Sequence, residues 1–117
     1  MHASTPAQVS LVGHRGVRSN LMGPFEQTDK TVHGYPAFTK TEDGVTHYLF
    51  RSSDDGRWSV TDDEENIAEN AGLIVSKDAA ELPTQEGLEW QYAGYNGSLK
   101  DDSAITCTEV GQILAGA

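Results

Sequence analysis

The chain has 117 residues, enough for one domain with a single hydrophobic core, and 37% of them are hydrophobic. Its formal net charge is -10, from 8 basic and 18 acidic residues. Nucleic acids and anionic membranes need clustered Lys and Arg, so this balance argues against both as partners. The sequence contains no apolar run long enough for a membrane span and no secretory signal at its start. It therefore predicts an intracellular, cytoplasmic protein, or a module of a longer polypeptide.

Residues 1–8 are predicted to be frayed, 9–110 to form one β domain and 111–117 to be a tail. Residues 9–12 have the pattern of a first short strand. Residues 21–28 have strand character only at their ends, and Pro24 confines such a segment to a sheet edge or a bulge.

The stretch 45–62 carries the strongest pattern, two alternating segments around Asp54, Asp55 and Gly56. A three-residue loop would place Gly56 at positive φ. That loop predicts Phe50 opposite Val60 and Ser52 opposite Trp58. One core-facing row would then contain Tyr48, Phe50, Trp58 and Val60. Together with 35–41, the segments 46–53 and 57–62 predict a meander of three strands.

The second half predicts two helical or irregular links between further strands. Residues 61–71 favour a helix of one to three turns, capped by Thr61 or Asp62 and stopped by Gly72. Residues 73–76 return to strand, and 77–83 form the second link. Residues 88–92 and 104–108 resemble a final pair of strands, joined through 94–97. Six to eight short strands with one or two helical links predict an all-β fold, a small antiparallel β-sandwich or a partly open barrel.

The segment Gly13-His14-Arg15-Gly16 follows an apolar run and precedes Glu26. It resembles the opening of the glycerophosphodiester phosphodiesterases. The resemblance implies that His14 is an acid/base histidine, that Arg15 holds phosphate and that Glu26 binds a metal ion. Those enzymes are (β/α)₈ barrels of ~200 residues or more. This chain is too short for that fold, and the family's Glu-x-Asp metal pair has no counterpart between Glu26 and Asp43, so we set the enzyme aside.

Metal binding and nucleophilic catalysis both lack a local signal. The four histidines show no paired spacing, and an EF-hand loop built around Gly56 would need Arg51 as its first ligand. A calcium site assembled from separate acidic loops remains an alternative to a solvated acidic rim. The sequence has no nucleophile elbow, and Cys107, its one cysteine, lies in an alternating run typical of a buried thiol. We expect no cofactor and no metal, and we expect that the protein is not an enzyme.

The aromatic residues favour a binding site instead. Trp58 and Trp90 alternate with polar residues and are expected in the core. Tyr95 precedes the Asn96-Gly97 turn signal and is expected to be exposed, where it could stack on a sugar or anchor a peptide. Six residues on loops form the candidate binding set: Tyr95, Asn96, Asp54, Asp55, Asp101 and Asp102.

The order of motifs resembles a small β module of multidomain proteins of algae and other protists. The matching motifs are Gly34-Tyr35-Pro36, Tyr48-Leu49-Phe50 and Gly56-Arg57-Trp58. The likeness spans 21–108 and implies a fold rather than an activity. The sequence therefore predicts a non-enzymatic interaction module that binds a protein or a small polar ligand. The alternatives are a calcium-dependent or carbohydrate-binding module, a structural subunit of an assembly, and a small hydrolase that uses His14.

Overall fold

The computed structural model describes residues 7–16, 19–94 and 97–110. These residues form nine strands, a one-turn α-helix called α1 and a 3-10 turn at Ser19–Leu21. The strands are β1 Gln8–Val12, β2 Gly23–Val32, β3 Tyr35–Glu42, β4 Val45–Arg51, β5 Arg57–Thr61, β6 Ile74–Ala79, β7 Trp90–Ala93, β8 Leu99–Asp102 and β9 Thr106–Glu109, and α1 is Glu65–Ala68. Of the predicted frayed start at 1–8, residues 1–6 lie outside the described residues, whereas Gln8 belongs to β1 and contradicts that prediction. The predicted tail at 111–117 also lies outside the described residues.

All nine strands belong to one antiparallel sheet in the order β8-β7-β6-β5-β4-β3-β2-β1-β9. Every neighbour is antiparallel, and the sheet curls into a half-barrel, which confirms the prediction of an all-β, partly open barrel. The sheet has more strands than the expected six to eight, because β8 was not expected as a strand. Its edges, β8 and β9, are joined along the chain by residues 103–105. No helix among the described residues is long and apolar enough to cross a membrane.

One face of the curled sheet forms the hydrophobic core. Trp58 and Trp90 are 0% and 1% exposed, so both are core residues as predicted. The Trp58 ring lies 6.2 Å from the ring of Phe38, between centroids, and its Nε1 donates to the Ala80 carbonyl at 2.9 Å. The indole is therefore both packed and hydrogen-bonded, which is how a buried Trp is normally accommodated.

The central hairpin has a register one residue away from the predicted one. Leu49 pairs with Val60 and Phe50 pairs with Ser59, so Phe50 does not lie opposite Val60. Because a slip of one residue exchanges the two faces of a strand, Phe50 lies on the opposite face from Trp58. The same correction places Arg51, not Ser52, opposite Trp58, and Tyr48 opposite Thr61.

The shift arises because the hairpin loop has four residues, 53–56, instead of three. The Ser52 N–H donates to the Arg57 carbonyl at 2.8 Å and thereby closes the loop one residue earlier on the first strand. The Gly56 N–H then donates to the Ser52 carbonyl at 3.2 Å, as in a single helical turn. Gly56 has a φ of 74°, so its predicted role as the left-handed residue is confirmed.

The outer face of β5 is covered by the connection 62–73, which contains α1. The Asn66 side chain donates to Thr61 Oγ1 at 2.9 Å, and a Cβ on Gly72 would meet Ser59 Cβ at 2.7 Å. This connection buries Ser59 and Thr61, which are 1% and 0% exposed. The N-cap of α1 is Glu64, without a side-chain bond, rather than Thr61 or Asp62.

Two strand predictions are wrong. Residues 88–92 and 104–108 do not pair with each other: β7 lies between β6 and β8, whereas β9 pairs with β1. Residues 23–28 of the segment 21–28 belong to β2, an interior strand of the sheet, and Leu21 belongs to the preceding 3-10 turn. Pro24 is tolerated there because it faces Ser10 of β1, while the ladder to β3 begins only at Glu26.

Candidate functional site

The structure describes four of the six predicted binding residues, Asp54, Asp55, Asp101 and Asp102. Asp54 and Asp55 are exposed in the loop between β4 and β5, as predicted. Asp101 and Asp102 lie in β8 and not in a loop, so that placement is wrong. The prediction of an exposed Tyr95 next to Asn96 falls outside the described residues.

β8 is an edge strand with one free side. It pairs with β7 through Tyr92–Lys100 and Trp90–Asp102, among others. Gly94 donates to the Ser98 carbonyl at 3.0 Å, which fixes the alternation of hydrogen-bonded pairs along this ladder. By that alternation the N–H and C=O groups of Leu99 and Asp101 face away from β7. No backbone partner among the described residues meets them.

A chain of polar contacts on the outer face connects Asp55 to Asp101. Asp55 forms an ion pair with Arg57 at 3.9 Å, and Arg57 Nη2 donates to Gln91 Oε1 at 2.9 Å. Gln91 Nε2 donates to Asp101 Oδ1 at 2.8 Å, and Lys77 Nζ lies 3.1 Å from Asp101 Oδ2. The network therefore brings two predicted residues, far apart in sequence, onto one surface and ties β8 to β5.

The electrostatics of this surface are set by the same contacts. Hydrogen bonds from Gln91 and Lys77, with the charge of Lys77, lower the pKa of Asp101. The carboxylate of Asp101, followed by that of Glu89, raises the pKa of Lys77. Asp101 is thus ionised and Lys77 charged at neutral pH, so the surface keeps fixed charges.

Asp102 points to the other face, where it meets His14. Asp102 Oδ2 lies 2.6 Å from His14 Nδ1, and the His14 ring lies 4.3 Å from the Tyr92 ring, between centroids. The hydrogen bond from His14 is the main reason that the pKa of Asp102 is lowered, with a further bond from the Ala104 N–H. Both residues had been singled out from the sequence, but nothing local could pair residues 88 positions apart.

The side chain of His14 is 3% exposed and that of Asp102 is 21% exposed. A buried His–Asp pair can hold an imidazole in one orientation, which is also how such pairs act in acid/base catalysis. The burial of His14 leaves its ring little access to a substrate. The pair links the segment that follows β1 to the edge strand β8.

The described residues contain no group of three or more His, Cys, Asp or Glu side chains that could hold a metal ion. Glu26, which the phosphodiesterase resemblance would make a metal ligand, is exposed on β2. The antiparallel sheet is also incompatible with a (β/α)₈ barrel. The fold that the phosphodiesterase resemblance implies is therefore wrong for this chain.

Two buried nitrogen atoms have no hydrogen-bond partner among the described residues: His47 Nδ1 and Trp90 Nε1. His47 is 4% exposed, and its pKa is lowered by burial first and by the charge of Lys40 second. Trp90 is beside a cleft of about 270 Å³ between the segment 83–88 and β9. Sequence patterns identify both residues as buried but give no information about unsatisfied atoms.

Searches of protein-family models, of curated proteins and of solved structures found no match to this chain. The resemblance to a small β module of algae and other protists stays a prediction.

Proposed function

We propose that this chain is a non-enzymatic interaction module, intracellular and of the small β-module type, which binds an extended, basic segment of a partner protein along β8. The segment adds a tenth strand to the sheet. The observation that carries the proposal is the free side of β8, where the backbone groups of Leu99 and Asp101 have no described partner. Main-chain hydrogen bonds supply the affinity in this mode of recognition.

The charge of the chain selects the partner. A net charge of -10 attracts a basic segment at long range and repels a second copy of the same chain. Asp101 lies in the edge strand, but its carboxylate is held by Gln91 of β7 and Lys77 of β6 and is directed away from the free side.

Leu99 supplies an apolar contact on the same edge strand, β8. It is 42% exposed, one of three large hydrophobic side chains that the described surface leaves exposed to that degree. An added strand would lie beside Leu99 and remove part of that side chain from water. The partner segment is therefore expected to alternate basic and aliphatic residues.

Amide NMR tests this proposal with a capped heptapeptide of alternating lysine and valine. The expected result is a set of shifts centred on Leu99 and Asp101 that weakens as salt is added. A glutamate–valine heptapeptide should cause none. If the two peptides shift the same amides equally, or if neither does, the proposal is wrong.

Leu99→Pro and Leu99→Ala form a matched pair for this titration. Both variants lose the exposed side chain, but only the proline removes the outward N–H, which makes no bond to β7. Peptide binding should weaken at least tenfold more in Leu99→Pro than in Leu99→Ala. Equal binding by the two would show that the peptide does not add to the edge of the sheet.

The His14–Asp102 pair favours one second candidate, a small hydrolase. That function requires His14 to reach a substrate, and it predicts that His14→Ala abolishes hydrolysis of an activated ester such as 4-nitrophenyl acetate. A rate equal to that of unfolded chain at the same concentration would eliminate the hydrolase.

A further inference from the structure

Lys40 of β3 holds the 3-10 turn Ser19–Leu21 against the inner face of the sheet. Its side chain is 7% exposed, and its Nζ donates to the Asn20 carbonyl at 2.9 Å and also to the Met22 carbonyl. Leu21, between these two residues, is fully buried in the core. The ammonium group thus binds the polar backbone of the turn, while Leu21 packs its apolar side.

His47 lies directly beside Lys40 in the neighbouring strand, β4. The ladder between β3 and β4 pairs Lys40 with His47 and Phe38 with Leu49. Because side chains two residues apart share a face, Lys40 and His47 lie on the same core-facing side as Phe38 and Leu49. Side chains directly opposite in an antiparallel pair are about 5 Å apart at Cβ, and two like charges there repel. We propose that the pair is a pH-sensitive switch, in which protonation of His47 weakens the hold of Lys40 on the turn Ser19–Leu21 and lets that turn leave the inner face.

The surroundings of His47 oppose its protonation while the turn is in place. His47 is 4% exposed, and its Nδ1 has no hydrogen-bond partner among the described residues. An imidazolium ring carries an N–H at both nitrogen atoms, so protonation places a buried donor without an acceptor at Nδ1, which is costly. Water that enters when the turn leaves would supply the acceptor. Binding of the proton therefore favours the open state over the closed one.

The charged groups that act on His47 belong to two other parts of the sheet. Lys40 and Glu42 lie on β3, and Asp62 follows β5. Burial is the main cause of the lowered pKa of His47, and the charge of Lys40 adds to it, whereas Asp62 and Glu42 act in the opposite direction. Glu42 already accepts a bond from Lys40 at 2.9 Å, which lowers the pKa of Glu42 and keeps it ionised in mild acid. The two acids therefore reduce the cost of a charged His47 without removing it.

The switch and the proposed peptide edge lie in different parts of the sheet. β3 and β4 are interior strands, and β5, β6 and β7 separate them from the edge strand β8. The inference therefore goes beyond the proposed function. The failure of either proposal does not decide the other.

Native-state hydrogen exchange of the Met22 amide tests the switch. The Met22 N–H donates to the Ser19 carbonyl at 3.1 Å, and an isolated turn of this length does not keep such a bond in water. One proton can shift the opening equilibrium by up to about tenfold between pH 6.5, the usual pKa of histidine, and pH 5.5. We expect the protection factor of Met22 to fall by about five- to tenfold from pH 7.5 to pH 5.5. A protection factor that does not change with pH would overturn the proposal.

Low concentrations of urea separate a local opening from global unfolding. Exchange through a local opening depends little on denaturant, whereas exchange through global unfolding accelerates with it. At pH 5.5 we expect urea to leave the exchange of Met22 unchanged and to accelerate that of Leu49 in β4. Equal acceleration at the two amides would show that the whole sheet unfolds and would also overturn the switch.

His47→Gln and His33→Gln form a matched pair for the pH dependence. His47→Gln removes the titrating ring, so the protection of Met22 should no longer fall between pH 7.5 and 5.5. His33→Gln removes an exposed histidine and should keep the fall. If His47→Gln does not fold, the Met22 methyl signal and the His47 ring of the parent protein must titrate with the same midpoint. A fall that persists without His47, or two different midpoints, would contradict the switch.

Lys40→Met tests the other half of the switch. Methionine keeps an apolar side chain of similar length but cannot donate to the Asn20 and Met22 carbonyls. The protection of Met22 at pH 7.5 should therefore already be about as low as it is in the parent protein at pH 5.5. Full protection of Met22 in this variant would show that Lys40 does not hold the turn, and the proposal would be wrong.

Discussion

His14 Nδ1 and Asp102 Oδ2 lie 2.6 Å apart, although the two residues are 88 positions apart in sequence. The contact joins the end of β1 to β8, two strands that share no backbone hydrogen bonds in the sheet. It is thus a side-chain link across the part of the half-barrel that the sheet itself leaves open.

A double-mutant cycle measures what this link contributes. We expect His14→Ala and Asp102→Ala to lower the free energy of unfolding by similar amounts, with a coupling of about 1–3 kcal/mol, typical of a charge-assisted bond that is largely buried. Urea denaturation at pH 7 provides the values. Asp101→Ala, at an exposed position of the same strand, should couple weakly to His14.

The coupling should also depend on pH. The pKa of Asp102 is lowered in the folded protein from its usual value of 3.8, chiefly by the bond from His14. Its stabilising effect is therefore complete above that value and is lost as the pH falls through the folded pKa. Additive single variants at pH 7 would show that the two side chains do not act together.

Gly13 brings the end of β1 against the connection between β8 and β9. Its φ is 105°, and a Cβ there would lie 1.9 Å from the Ala104 carbonyl oxygen. Gly13→Ala should therefore destabilise the fold severely, by about 3 kcal/mol or more, since backbone strain and a backbone clash add. Thermal unfolding provides the measurement.

Gly44→Ala is the matched control for Gly13→Ala. Gly44 has a φ of 80°, but nothing lies within 4 Å of its Cβ position. Gly44→Ala should lower the free energy of unfolding only by the strain of the left-handed backbone, about 1 kcal/mol. Equal losses in the two variants would mean that the contact with Ala104 does not constrain the fold.

The sequence predicted the positions of the three meander strands better than the register of the central hairpin. Alternation located β3, β4 and β5 within about two residues, since period-2 patterns report which residues form strands. The register failed because it depends on whether the loop after Ser52 has three or four residues. Both loops place Gly56 at positive φ, so the Gly signal could not distinguish them.

Long-range contacts explain the remaining differences. Nothing in residues 99–102, Leu-Lys-Asp-Asp, indicates a strand, because Asp disfavours strands and the pairing with β7 decides their conformation. Asp101 was identified as a candidate from the sequence. Its link to Asp55, however, runs through Gln91 and Arg57, on strands that the sequence alone could not place on one surface.

The lowered pKa of His47 predicts that the folded protein loses stability in mild acid. Burial and the charge of Lys40 lower its pKa below the usual 6.5, while Asp62 and Glu42 act weakly in the opposite direction. The unfolded chain therefore binds a proton at a pH where the folded chain does not, and stability falls as the pH drops below about 6.5. His47→Gln should flatten the free energy of unfolding between pH 7 and 5.

His33→Gln is the control for this pH dependence, since it removes an exposed histidine and keeps His47. The loss of stability that comes from His47 should persist in this variant. The ring proton of His47, followed by NMR, should titrate below pH 6.5 in the folded state. A midpoint at or above 6.5 would contradict the assignment.

Trp58 gives the most direct test of the core. The side chain is fully buried against Phe38 and donates to the Ala80 carbonyl, so Trp58→Ala should lower the free energy of unfolding by about 3–5 kcal/mol. Trp58→Phe keeps part of the ring packing and loses the hydrogen bond, so its cost should be smaller.

The corrected register predicts which neighbours couple to Trp58. Trp58 pairs with Arg51, so Phe50 lies on the opposite face of the sheet and should couple weakly to Trp58. Phe38 contacts Trp58 on the inner face and should couple strongly to it. Urea denaturation of the single and double variants measures both terms. A loss below about 1 kcal/mol for Trp58→Ala would place that ring at the surface and would contradict the inner face described for β5.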